Sequence, residues 1–270
     1  MHVAEARAHG LELSYALCDF DAESLRWRDL AAALADVQAR GFAGVNVTYP
    51  FKQSVLPLLD ELSPTASRLG AVNTVIFRDG RRIGHNTDGL GFAENFRRGL
   101  PGAPRRSVVQ LGAGGAGAAV ADALLEAGAE RLSLFDTDRE RADLLIARLG
   151  RLFGEGRVTA CVDLPAEMAI ADGLVNATPV GMAALPGLPL PIQLLRPDLW
   201  VADIVYVPIE TELLRAARQL GCRTLGGGGM AVHQAAEAFA LFTGLAPDVE
   251  RMRSRFLADL GRGGVSGQRV

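Results

Sequence analysis

Gly112, Gly114 and Gly117 fit the pattern G-x-G-x-x-G within "LGAGGAGAAVADAL", and Gly115 opens the backbone further. Such a run suits a phosphate group. Free backbone N–H donors at a helix start attract the anion, and side chains there would block its approach. The pattern alone is weak, since a glycine-rich turn can serve only to let a helix pack against a strand. Here it follows the strand-like "SVVQL", heads an alanine-rich helix and precedes Asp136, which closes the next strand-like run at about the expected spacing of ~20 residues. That context predicts a dinucleotide held by Gly112, Ala113, Gly114, Gly115, Ala116 and Gly117. Asp136 can accept hydrogen bonds from an adenosine ribose and would repel a 2′-phosphate, with Asp138 adding charge. Arg139 could instead bind a 2′-phosphate, but "DTDRERA" reads as a solvated helix start. The expected cofactor is NAD rather than NADP.

A second group of residues is polar without an evident need in a dinucleotide domain. Lys52 lies in "GVNVTYPFKQSVLPLLDELSPTASRLGAVNT" together with Asn46, Thr48 and Asn73, while Asp88, Tyr206 and Gln234 lie further on. Each has a plain structural reading. Asn46 and Asn73 could satisfy backbone groups at turns, Thr48 could be an ordinary strand residue, Asp88 could cap a helix and Lys52 could be an ion-pair partner.

The elements that must position these residues alternate regularly. Apolar residues at helical spacing predict a helix from Leu25 to Arg40, stopped by Gly41. "AGVNVT" reads as a buried strand broken by Pro50, and "FKQSVLPLLDEL" as a helix with Lys52 in its first turn. Ser63 and Pro64 read as a helix cap and first position, "AVNTVIF" and "RRIGHN" around "DG" as a hairpin, and Asp88 as the opening of the next helix. From "SVVQL" on, strands and helices alternate through "CRTLGG", with closing helices starting near Met230 and Asp248. This argues for an α/β protein with parallel sheets.

With 270 residues, 49% of them hydrophobic, 22% charged, and a net charge of −3, the chain can bury a sizeable core and carries no general cationic field. Nucleic acid and anionic membranes are therefore not expected partners; a small molecule is. Three scattered cysteines match neither a disulfide framework nor a zinc pattern, so no metal is expected. The absence of a membrane-length apolar run and of a secretion-signal pattern reads as cytoplasmic. Residues 261–270 read as a disordered tail.

"NVTYPFK", "GAVNTV", "GHNTDGLGF", "LGAGGAGAAVADAL", "NATPVGM" and "GMAVHQAAEAF" resemble, in order, the signature segments of the shikimate dehydrogenase family. "FDTDRERA", "DIVYVPIETELL" and "LFTGLAPDVERMR" are similar to its NAD-preferring quinate/shikimate members. The resemblance implies a substrate domain with a mixed sheet over residues 1–88, a Rossmann-type cofactor domain over 89–226, and helices over 227–260 returning to the first. It implies reversible hydride transfer between the 3-OH of quinate or shikimate, polyhydroxylated ring acids, and C4 of a nicotinamide, by a monomer or homodimer. Lys52 and Asp88 resemble the catalytic pair. Thr48, Asn73 and Gln234 resemble contacts to substrate hydroxyls or carboxylate, and Tyr206 matches a tyrosine near nicotinamide and substrate. Thr178, Val205 and Met230 are implied as further cofactor contacts. An amino analogue of shikimate as substrate, or a non-catalytic sensor on the same fold, are the competing expectations.

The family normally begins with a strand and a Ser-x-Ser/Thr-Pro turn that binds the substrate carboxylate, followed by a methionine-histidine pair. This sequence starts at that pair, "MHVAE". Two explanations compete, a start codon assigned too far downstream, which is the expectation, and a genuinely truncated protein. The chain as written is expected to bind NAD but oxidise the acid poorly.

Overall fold

The computed structural model describes residues 1–18 and 29–261. They form two compact units, one of Met1–Thr87 with the residues from Val232 on, the other of Asp88–Ala231. In chain order the first unit contains α1 (His2–Ala8), α2 (Leu30–Ala39), β1 (Gly44–Asn46), β2 (Glu61–Leu62), α3 (Pro64–Leu69), β3 (Thr74–Arg78) and β4 (Arg81–His85). The second contains α4 (Asp88–Gly99), β5 (Ser107–Leu111), α5 (Gly115–Glu126), β6 (Arg131–Phe135), α6 (Arg139–Phe153), β7 (Val158–Ala160), α7 (Leu164–Ile170), β8 (Gly173–Asn176), β9 (Trp200–Asp203), α8 (Glu212–Gln219) and β10 (Arg223–Leu225). Then α9 (Gly228–Thr243) begins in the second unit and continues in the first, followed by α10 (Val249–Gly261).

The sheet of the first unit is mixed, in the order β1-β3-β4-β2, with β2 parallel to β4 and the other pairs antiparallel. Its hairpin turns on Asp79 and Gly80, both at positive φ (51° and 76°), the left-handed pair that matches strand twist in a two-residue turn. Ser63 caps α3 by accepting from the Ala66 N–H, with Pro64 first in the helix. Leu34, Val47, Val55, Ala66, Val72 and Val75 form the core of this unit.

Three expectations need correction here. The segment "FKQSVLPLLDEL" is not an α-helix but a run of turns ending in a short 3-10 helix, Leu56–Leu58. Val55 N–H reaches Phe51 O once, and the next bond already runs from Leu56 N–H to Gln53 O; Pro57 then has no N–H with which to continue. Lys52 therefore sits in a turn. The strand read from "AGVNVT" ends at Asn46, leaving Thr48 beyond it and exposed. The helix expected from Leu25 begins at Leu30, because the Asp29 carboxylate accepts from the Ala32 N–H and caps it; Leu25 to Arg28, like the tail from residue 262, lie outside the described residues. Two helices, α1 and α7, were not expected at all.

Glu5 of α1 is wholly buried. Its carboxylate accepts from Arg251 Nε (2.7 Å) and Nη2 (2.6 Å) and from the Asp248 N–H (2.7 Å), tying α1 to the start of α10. The Arg251 guanidinium is the main reason its pKa is lowered to about 2. Because the unfolded chain binds this proton more readily, the stabilisation is complete above the ordinary value near 4.5 and is lost as pH falls toward 2. Glu5→Gln should cost about 3 kcal/mol at neutral pH and flatten the acid limb of a plot of denaturation midpoint against pH. Parallel acid limbs for the two proteins would refute this.

The sheet of the second unit is wholly parallel, in the order β7-β6-β5-β8-β9-β10. Its strands bury both faces, as crossover helices require. Val108, Leu132, Leu134, Val175 and Trp200 face one core with Phe92, Phe96 and Leu124; Val109, Leu111, Leu174 and Val201 face another with Met168, Leu213 and Ala217. The strand order reverses direction between β5 and β8. In open parallel sheets a ligand crevice forms outside the carboxyl ends of the strands at such a switch point.

Among the described residues no helix is long and apolar enough to cross a membrane, and no group of three or more His, Cys, Asp or Glu could hold a metal ion. Cys161 and Cys222 are buried free thiols, and Cys18 is partly exposed.

Candidate functional site

The glycine turn lies at that switch point. Gly112 follows β5 with φ 102°, and a Cβ on it would stand 2.6 Å from Ala177 O at the end of β8. Gly117 allows helix and turn to touch, since a Cβ there would stand 2.3 Å from Gly112 O. A Cβ on Gly114, at the N-cap of α5, would meet nothing within 4 Å. One glycine thus makes the turn, another packs helix against strand, and the middle one leaves a clear approach to the N-terminus of α5. This is the arrangement that a dinucleotide pyrophosphate requires.

Two side chains brace the turn. Gln110, fully buried in β5, donates through Nε2 to Gly112 O (2.9 Å) and Gly117 O (2.8 Å). Asp136, at the carboxyl end of β6, accepts through Oδ2 from the Ala113 N–H (2.7 Å) and through Oδ1 from the Asp138 N–H (2.9 Å). Asp136 is therefore a structural brace as well as a candidate ribose acceptor. Its cationic neighbour is Arg141, not Arg139. Arg141 Nη1 stands 3.7 Å from Asp136 Oδ2 and Nη2 donates to Asp138 Oδ2 at 2.9 Å, whereas Arg139 is exposed at the first position of α6. Sequence reading missed Gln110 and Arg141. Arg141, three residues from the α6 cap Asp138, had a spacing that could have disclosed it.

Thr178, half-buried, follows β8, and Val205 and Tyr206 follow β9. The Tyr206 hydroxyl has its pKa raised, first by burial and then by the negative charge of Asp88, so these two candidates share one electrostatic environment. Asp88 is the first residue of α4 and is buried. Met230 packs into the same core as Phe92 and Leu225.

In the first unit a chain of hydrogen bonds passes through Asn73. Sheet register sets Asn46 opposite Thr74. Tyr15 OH donates to Asn46 Oδ1 (2.8 Å), Asn46 Nδ2 to Thr74 Oγ1 (3.0 Å) and Thr74 Oγ1 to Asn73 Oδ1 (3.1 Å). Asn73 Oδ1 also accepts from the Thr87 N–H (2.9 Å), and Asn73 Nδ2 donates to Thr87 Oγ1 (2.9 Å), which donates onward to Gln234 O (3.1 Å). The orientation of the Asn73 amide is thus fixed, and the backbone of Gln234 is tied to the residue preceding Asp88. Thr87 was not singled out from the sequence; its place beside Asp88 in "NTDG" was the available signal. Lys52 is half-exposed, and its backbone carbonyl accepts from the Val72 N–H at 2.8 Å.

The model of the shikimate dehydrogenase substrate binding domain matches residues 1–75, and that of the shikimate 5′-dehydrogenase C-terminal domain matches residues 227–255. A shikimate dehydrogenase (NADP(+)) of Streptomyces avermitilis is 54% identical over 262 residues, covering 96% of this chain and 89% of the relative. The chain belongs to the shikimate dehydrogenase family. Within that family, a quinate/shikimate dehydrogenase (NAD(+)) of Corynebacterium efficiens is 51% identical, covering 96% of this chain and 92% of the relative. A solved quinate dehydrogenase from Corynebacterium glutamicum, in complex with NAD, superposes with a TM-score of 0.87 at 48% identity, covering 95% of this chain and 92% of that one. The α/β architecture, with a mixed four-stranded sheet and a six-stranded parallel sheet, is that of shikimate dehydrogenases with a Rossmann-like domain.

Proposed function

We propose that this protein is a nicotinamide-dependent dehydrogenase that reversibly oxidises the 3-OH of quinate, shikimate or both, with NAD as its preferred dinucleotide. The observation that carries this reading is the glycine turn at the sheet's switch point, with Gly114 open and Asp136 bonded to the turn itself. Relatives of comparable identity are named for NADP(+) and for NAD(+), so the preference rests on local charge.

The Gly112–Gly117 turn would hold the pyrophosphate and Asp136 the adenosine ribose, with Thr178, Val205 and Met230 toward the nicotinamide. When bound, the nicotinamide supplies the hydride acceptor or donor. The chain's own residues do the rest. Oxidising an alcohol also releases a proton from its oxygen, and a positioned side chain must exchange it. Lys52 and Asp88 are the residues that the family resemblance offers for that exchange, Lys52 carrying the proton. Thr48, Asn73, Gln234 and Tyr206 orient the ring hydroxyls and carboxylate, Asn73 from an amide whose rotation is already fixed.

The test is absorbance of the reduced nicotinamide with quinate and shikimate, each with NAD and NADP. Saturable binding without turnover would instead favour a sensor. For the cofactor, kcat/KM should be higher with NAD than with NADP. Asp136→Asn should narrow that ratio by removing one unit of repulsion, and lower the affinity for both dinucleotides, because the brace on Ala113 N–H is weakened. A ratio unchanged by the substitution would assign Asp136 to bracing alone.

A further inference from the structure

The loops leaving β8 and β9 meet at a buried carboxylate to which the proposed chemistry gives no part. Asp203 ends β9 and is 2% exposed. Its Oδ1 accepts from Asn176 Nδ2 and from the Val205 N–H, both at 3.0 Å, and its Oδ2 accepts from Thr211 Oγ1 at 2.7 Å. Each partner passes the connection on. Asn176 Oδ1 accepts from the Thr178 N–H (3.1 Å) and Thr178 Oγ1 (2.7 Å), while Asn176 Nδ2 also donates to Val180 O (2.9 Å). Thr178 Oγ1 accepts from the Val180 N–H (3.1 Å), closing the turn after β8. Thr211 caps α8 by accepting from the Leu214 N–H (3.3 Å). The loop after β8 and both ends of the loop after β9 are thus held by one side chain.

None of these hydrogen-bond partners is charged. Burial dominates the carboxyl's environment and pushes its pKa up to about 6, against the opposing effect of the three donors. A carboxylate kept under such desolvation is a poor device for stability alone, since an apolar side chain would fill the space without that penalty. An apolar side chain could not, however, hydrogen-bond the loop after β8 to both ends of the loop after β9.

The position of the hub gives those bonds their use. Along the carboxyl edge of the sheet the order is β6, β5, β8, β9. Asp136 follows β6 and the glycine turn follows β5, so adenosine and pyrophosphate occupy that side and the remaining half of a dinucleotide falls toward β8 and β9. We propose that Asp203 is a positioning residue, which fixes the Thr178 and Val205–Tyr206 loops as the seat of the nicotinamide half. The proposal rests on the dehydrogenase reading given above.

The test compares the full chain with Asp203→Ala and Asp203→Asn. The asparagine keeps one acceptor oxygen for Asn176 and Val205 and can donate to Thr211, so it should restore most of what alanine loses. In the ligand-free protein, hydrogen exchange at Thr178, Val180 and Val205 N–H should be faster by about 10-fold or more in Asp203→Ala and close to the parent in Asp203→Asn. NADH titration should give a dissociation constant within a few-fold of the parent for both, because the glycine turn and Asp136 are untouched. Turnover should separate them, with kcat falling by about 10²-fold in Asp203→Ala, the scale of a 1 Å misplacement, and only a few-fold in Asp203→Asn. A lower melting temperature with kcat unchanged would overturn the proposal and leave a structural residue. Loosened loops with unchanged kcat would overturn it too, while leaving the dehydrogenase reading intact. A parent chain that binds no NADH would instead overturn the dehydrogenase reading beneath it. Should Asp203→Ala fail to fold, Thr211→Val keeps the carboxylate but removes both the bond to it and the cap on the Leu214 N–H; the same exchange and kcat changes, smaller in size and reversed by Thr211→Ser, then decide the matter.

Discussion

Lys52→Ala is expected to lower kcat by about 10²- to 10⁴-fold, the range that a positioned proton-transfer group contributes, while NADH affinity stays within a few-fold of the parent. The two effects separate because Lys52 belongs to the first unit and the glycine turn to the second. Thermal melts of the variant, run beside the kinetics, separate a loss of fold from a loss of chemistry. Lys52→Arg sharpens the test. Arginine keeps the positive charge but does not give up its proton in proteins, so a charge or ion-pair role would be rescued and a proton-exchange role would not. Steady-state kcat with quinate and shikimate, beside NADH titration, reads both variants. Near-parental turnover in Lys52→Ala, or full rescue by arginine, would return the lysine to a structural part.

What the sequence disclosed and what it hid follow from how local each constraint is. The glycine turn was legible because its requirement, backbone without side chains at fixed spacing between a strand and a helix, is written in consecutive residues. The same holds for the Ser63–Pro64 helix start and the Asp79–Gly80 hairpin. The turn carrying Lys52 reads as a helix because its apolar spacing extends for too few residues to distinguish the two, although Pro57 lacks the N–H that a continuing helix would need. α7 was missed because it has only seven residues, although Asp163 before Leu164-Pro165 was a usable cap signal. Glu5 could not have been found. Its burial depends on Arg251, a partner at the other end of the chain, and a charged residue in "HVAEARA" reads as solvated. The Asp203 hub was hidden for the same reason, since Asn176, Asp203 and Thr211 are ordinary types brought together only by the parallel pairing of β8 with β9 and the return of α8.

The glycines offer the sharpest separation of binding from folding. Gly114 has φ −67° and ψ −174°, extended backbone that any residue adopts, and a Cβ there meets nothing within 4 Å. Gly114→Val should therefore fold with a melting temperature close to the parent. Its side chain would nonetheless stand where the pyrophosphate must approach the N-terminus of α5. Hydrogen bonds to a charged group contribute about 1.5 to 3 kcal/mol each, so losing two should weaken dinucleotide binding by about 10²-fold or more. Gly117→Ala should behave differently. Its Cβ would lie 2.3 Å from Gly112 O and 2.9 Å from Gly112 C, both backbone atoms, so the turn or α5 must shift and stability falls along with binding. If the glycine run were only a packing device, Gly117→Ala would do harm and Gly114→Val would do none. Thermal melts and NADH titrations of the two variants side by side decide between these readings, and an unaltered dissociation constant in Gly114→Val would remove the dinucleotide from this site.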